Sequence, residues 1–148
     1  MREIEFRGRK TFSKEWVYGN LITDKYGRNH IVPVEYFDED GHHLSYDDDT
    51  DEPVFIDQET LGQFTGFLDN KEKKIFEGDP CDVHLADGSH TIAHVYFIDG
   101  CFELWFISPV VINGEYRTRD YLKCYVVNHA VEVIGKKYEV PEILEETK

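Results

Sequence analysis

Apolar and polar residues alternate along this chain in short runs with a period of two, which is the pattern of strands rather than helices. Ile4-Glu5-Phe6-Arg7 opens the pattern, and residues 16–22, Trp-Val-Tyr-Gly-Asn-Leu-Ile, resume it after a polar link. Asp24 to Asn29 carries turn chemistry, so residues 31–37 complete a predicted meander. Asp57-Gln58-Glu59-Thr60 suits a single helical turn with Asp57 as its N-cap. Two apolar runs, 61–68 and 75–76, then flank the polar segment 69–74 and predict a hairpin. Glu77-Gly78-Asp79-Pro80 follows as a turn. Gly can take positive φ there, Asp can bond nearby amides, and Pro fixes φ at the start of the next strand.

From Cys81 onward five candidate strands follow at close spacing, at 82–85, 91–98, 101–108, 121–127 and 130–134. Ala86-Asp87-Gly88-Ser89, Asp99-Gly100, Asn113-Gly114-Glu115 and Asn128-His129 separate them, and Asp99-Gly100 is the strongest hairpin signal. The strand count admits a small SH3-like barrel or half a sandwich. We expect a mainly β fold, α+β with little helix. A complex N-terminal sheet region occupies 1–76, with an acidic loop at 38–52. An SH3-like barrel at 77–137 and a tail at 138–148 follow, the tail with one helical turn begun by Pro141.

Composition agrees with this pattern. Aromatic residues make up 14% of the chain, with one Met among 148 residues, which favours pleated, half-buried surfaces. Three cysteines at 81, 101 and 124 form no paired motif, so reduced thiols in a cytosol are the expectation. The charged N-terminus has no apolar signal region, and no run reaches the roughly 18 apolar residues of a membrane span.

Charge narrows the function classes further. The net charge is −14, from 30 acidic and 16 basic residues. No Lys or Arg lies between Arg28 and Lys71, while twelve Asp or Glu do, and a second gap runs from Lys74 to Arg117. Nucleic-acid binding depends on neutralising phosphates, so a broad duplex-binding face is not expected. Residues 38–52 hold eight acids and read as a solvated loop. Asp47, Asp49 and Asp51 imitate the start of a calcium loop, but Glu52-Pro53 replaces its Gly turn and Gln58 its bidentate Glu.

The centre of the chain resembles the YopX family of phage and prophage proteins. Thr60-Leu61-Gly62-Gln63-Phe64-Thr65-Gly66-Phe67 with Asp69, then Lys74-Ile75-Phe76-Glu77-Gly78-Asp79, are similar to the family signature. Ile4-Glu5-Phe6-Arg7, Val133-Ile134-Gly135 and the stretch from Tyr138 to Leu144 resemble its opening and closing motifs. Two positions depart from it. The hairpin segment Asn70-Lys71-Glu72-Lys73 lacks the family's Gly, so Asn70 or a longer loop must carry any positive φ, and Pro80 replaces a β-branched residue. The resemblance implies a β-rich fold ending in a barrel-like part, carried by bacterial mobile elements, with no established activity and no catalytic residue to transfer. The signature has a structural reading, Gly for turns and aromatics for the core. Against it stands a partner or ligand groove built on Gln63, Thr65, Glu77 and Asp79.

No catalytic constellation emerges. Cys124 with His129 and Asn128 or Asp120 lacks the features that activate a thiolate. Zinc would require Cys81, His84, His90 or His94 to converge, yet Cys81 and His84 point to opposite strand faces and His90 falls in a turn. No metal, cofactor or enzymatic activity is expected. The leading expectation is a non-enzymatic interaction protein of the bacterial cytoplasm, with a basic protein partner or self-association. An acidic mimic of DNA is the second reading. The third is a weak nucleic-acid-binding barrel using Arg117, Arg119 and Lys123 with Tyr116 and Tyr121.

Overall fold

The structure, a computed structural model, describes residues 3–33 and 54–136. The expected acidic loop 38–52, the end of the third strand at 34–37 and the tail 138–148 lie outside the described residues. Among the described residues the fold is mainly β, with two antiparallel sheets and one short α-helix. The chain divides into two compact units, Met1–Phe64 and Thr65–Lys148, whereas the sequence reading puts the division after residue 76.

In the first unit β1 (Phe6–Arg9), β2 (Trp16–Thr23), β3 (Asn29–Pro33) and β4 (Val54–Phe55) pair in sequence order, and β1 also pairs with the start of β5 (Gly62–Leu68). β1 sits two residues later than the alternation of 4–7 predicts and runs through Gly8. A Cβ at Gly8 would lie 2.6 Å from Ile56 Cδ1, so this strand passes beneath Ile56 only because position 8 has no side chain. Gly19 is tighter, since a Cβ there would lie 2.1 Å from the Val32 carbonyl oxygen across the β2–β3 ladder. Val17, Ile31 and Ile56 form the core, with Phe6, Leu21 and Leu61 packed around them.

Asp24 builds the β2–β3 turn. One carboxylate oxygen accepts the amides of Tyr26 and Arg28, and the other accepts Arg28 Nε at 2.7 Å and faces His30 Nε2 at 3.0 Å. These bonds, the one with His30 first, hold the Asp24 carboxyl well below the usual carboxylate range. The single helical turn expected at 57–60 forms as a 3-10 turn at Gln58–Thr60, but Asp57 does not cap it with its side chain. That carboxylate pairs with Lys14 at 3.2 Å instead.

The second unit contains the rest of β5, its hairpin partner β6 (Lys74–Phe76), and a sheet of β7 (Pro80–His84), β8 (His90–Ile98), β9 (Cys101–Ile112), β10 (Glu115–Tyr121) and β11 (Val131–Val133) in the order β10-β9-β8-β7-β11. Ile75, Val83, Val95, Leu104, Leu122 and Val131 anchor its core and are almost wholly buried. Asp99-Gly100 and Asn113-Gly114 both have two successive residues at positive φ, as two-residue hairpins require. The Asn70–Lys73 loop solves its missing glycine differently, because Glu72 takes φ 64° rather than Asn70.

Two expected boundaries change. Residues 121–127 do not form a strand. Glu115–Tyr121 is the strand β10, and Leu122–Val126 is a helix, α1. Leu122, Tyr125 and Val126 all pack against the core, a spacing of three and four that belongs to a helix face. β10 lies at the sheet edge, where a polar strand such as Glu-Tyr-Arg-Thr-Arg-Asp-Tyr needs no second buried face. β9 continues past Ser108 through Pro109 because its register with β10 slips between Arg117 and Arg119, and the irregular stretch accommodates a residue with no amide to donate.

Candidate functional site

Two of the four residues singled out from the central signature, Thr65 and Asp79, bond to backbone. Thr65 is buried, donates its hydroxyl to the Ile75 carbonyl at 2.8 Å and accepts the Phe67 amide at 3.1 Å. Asp79 is 1% exposed and accepts the Phe76 amide at 2.8 Å, closing the turn that Gly78 opens at φ 91°. Gln63 is half-buried on β5 opposite Phe6, and Glu77 is half-buried in the turn. Neither of the two cavities described below is lined by any of these four.

The outer face of the second sheet gathers a different set. Ala93 and Val95 on β8 and Phe102, Leu104 and Phe106 on β9 point into the core, so the alternate residues point out. Register then sets His94 opposite Trp105, Tyr96 opposite Glu103, Arg119 opposite Trp105 and Tyr121 opposite Glu103. Six side chains form a grid across three strands. The rings of Tyr96 and Trp105 lie 4.9 Å apart, and the Arg119 guanidinium sits 5.5 Å over the Trp105 ring. Glu103 accepts Trp105 Nε1 at 3.3 Å and pairs with Arg119 Nε at 3.6 Å. Trp105, Tyr96 and Tyr121 remain 37%, 40% and 56% exposed, large apolar area left toward solvent.

A cavity of about 860 Å3 lies beside α1. Its walls include Asp120, Cys124, Asn128 and His129, the residues considered for nucleophilic chemistry, together with Arg117 and Tyr125. Asp120 is committed elsewhere, accepting Arg117 Nη1 at 3.0 Å and the Tyr125 hydroxyl at 2.9 Å. Burial, and then that bond, push the Tyr125 hydroxyl well above its ordinary range. The Asn128 amide donates to the Cys124 carbonyl, and no hydrogen bond joins Cys124 to His129. All three cysteines are free thiols. Arg117 and Arg119, expected as phosphate contacts, are each held by carboxylates, while Tyr116 projects almost fully into solvent.

His90 is not in a turn. It opens β8, directly opposite His84 at the end of β7. Together with Asp82 these residues place three potential ligand atoms within 4.8 Å of one another. The spacing Asp-x-His, a five-residue loop, then His contains this arrangement once the loop length is read as pairing 84 with 90. Cys81 is buried on the other face, as its spacing from His84 predicts.

Among the described residues no helix is long and apolar enough to cross a membrane. The family model described as YopX protein matches residues 5–145 of the chain. No curated protein sequence matches it. Of solved structures, the crystal structure of protein EF1440 from Enterococcus faecalis is similar in fold, with a TM-score of 0.51, 19% identity and coverage of 97% of this chain and 99% of that one.

Proposed function

This chain belongs to the YopX family, and on that footing we propose that it is a non-enzymatic protein-interaction module, derived from a phage or prophage and acting in the bacterial cytoplasm. The observation that carries this reading is the outward grid of Tyr96, Trp105, Arg119 and Tyr121. Trp, Tyr and Arg are the residue types that dominate binding energy at protein interfaces: Trp and Tyr cover a large area with two rotatable bonds, and Arg adds a planar group that both stacks and donates hydrogen bonds. Here Tyr96, Trp105 and Arg119 are held by strand register and mutual stacking, and Tyr121 is placed by register, so little order has to be imposed when a partner arrives.

The partner this surface fits is a basic protein. A net charge of −14 attracts cationic surfaces and repels acidic ones. The same charge disfavours the nucleic-acid reading, since Arg117 and Arg119 are neutralised by Glu115, Asp120 and Glu103 before any phosphate reaches them. We further read the second unit as an SH3-like barrel. Support comes from β11 returning to pair with β7, from the helical turn α1 just before it, and from the slip in register where β9 passes Pro109.

Capture on immobilised full-length protein from a bacterial lysate, at low and moderate salt, tests the proposal when paired with a mobility-shift assay on single- and double-stranded DNA. A basic protein recovered, identified and rebound in purified form supports it. A salt-sensitive DNA shift with no protein partner overturns it.

A further inference from the structure

We propose that Asp82, His84 and His90 form a binding site for a first-row divalent transition metal, with Zn2+ as the best fit. Asp82 and His84 are two apart on β7 and so project from one face of the strand. His90 is the direct cross-strand neighbour of His84 and projects from that same face. A single oxygen of Asp82 lies 3.2 Å from His90 Nδ1 and 3.7 Å from His84 Nε2. Zinc–nitrogen and zinc–oxygen bonds near 2.1 Å in a tetrahedron put neighbouring ligand atoms about 3.4 Å apart. The two distances bracket that value.

The donor chemistry selects the metal. Two imidazoles and a carboxylate suit Zn2+ and its transition-metal neighbours, whereas Ca2+ and Mg2+ take oxygen ligands almost throughout. Three protein ligands leave a position for water or an exchangeable group. The side chains are accessible, with His84 and His90 about half exposed. A cavity of about 360 Å3 adjoins the cluster, lined by Asp82 and His90 with Ile92 and Ile107. The loop between the two histidines is also braced. Leu85 N–H donates to the Ser89 carbonyl at 2.8 Å, and the Asp87 carboxylate accepts the Ser89 amide at 2.8 Å. The His84–His90 pair is therefore held before any metal arrives, with ring centroids 4.0 Å apart.

Calorimetric titration of the full chain with zinc sulphate in a non-chelating buffer tests the site. One saturable equivalent is expected for the wild type, and the double substitution His84→Ala with His90→Ala should weaken it by at least about tenfold, the scale on which even outer-shell partners act. His42 and His43, adjacent in the acidic stretch, are the competing source of zinc binding. His42→Ala with His43→Ala should leave the titration unchanged. Imidazole NMR of the wild type gives a second readout that needs no variant, with the His84 and His90 resonances moving first at substoichiometric Zn2+. Absence of a saturable site, binding that survives loss of His84 and His90, or binding lost with His42 and His43 overturns the proposal.

Discussion

Asp69 accepts the backbone amide of Val133 at 2.9 Å through one carboxylate oxygen, and the amides of Lys71 and Lys73 at 2.9 and 2.8 Å through the other. A single buried side chain thus shapes the β5–β6 hairpin loop and ties it to β11. Asn70 N–H, which donates to the Val131 carbonyl, and the Lys71–Glu132 ion pair reinforce the same junction. Glu132 also pushes the Lys71 ammonium above its ordinary pKa.

Asp69→Ala should destabilise the protein by about 2–4 kcal/mol. Bonds to a charged acceptor contribute about 1.5–3 kcal/mol each, but the two loop amides can turn to water while the buried Val133 amide cannot. Urea unfolding followed by circular dichroism measures the loss. A change below about 0.5 kcal/mol would show that the junction is held by other contacts.

Asp24 should give the first unit an acid sensitivity. Its folded pKa is lowered, so its contribution is fully present above the ordinary carboxylate value near 4 and disappears as pH falls through the folded value. Asp24→Asn should lower the melting temperature at pH 6, and the gap from wild type should close toward pH 2. A gap that stays constant over this range would rule out the charged interaction with His30 and Arg28 as its source.

Gly19 and Gly8 should respond unequally to alanine. At Gly19 the new methyl meets a backbone carbonyl that cannot move without breaking the β2–β3 ladder. Overpacking at about 3 kcal/mol or more is expected there. At Gly8 the obstruction is a side chain instead, and although Ile56 Cδ1 can rotate away, Ile56 Cβ and Cγ2 at 3.1 Å must shift with their backbone, so a smaller cost of about 1–3 kcal/mol follows. Comparison of the two denaturation midpoints checks the order.

The sequence makes the second unit's framework legible and hides its surfaces. Asp99-Gly100 and Asn113-Gly114 declare their hairpins because few other dipeptides accept two positive φ values in succession. Gly78 and Asp79 likewise announce the turn that they form, and Pro80 the start of the strand that follows. Helix α1 is hidden because its five residues are too few to display a period, and β-branched and aromatic neighbours at 125–127 imitate a strand. The chemistry-bearing groups escape for another reason. Trp105 meets Tyr96 and Arg119, and His84 meets His90, only through cross-strand register, which depends on where each strand starts. Placing the start of β8 at Thr91 instead of His90 leaves His90 in a loop and conceals the cluster. Thr65 and Asp79 draw notice in the sequence for their polarity, yet their hydrogen bonds run to local backbone.

The most direct test of the interaction proposal is a parallel capture experiment with wild-type protein, Trp105→Ala, Arg119→Ala and the surface control Val127→Ala. Val127 is exposed but lies outside the grid. Wild type and Val127→Ala should recover the same basic protein. Trp105→Ala should lose at least about 2 kcal/mol of affinity for the purified partner, some thirtyfold, the level expected of a central aromatic anchor. Equal recovery by all four proteins, with unchanged affinity, would contradict the claim that this face is the binding surface.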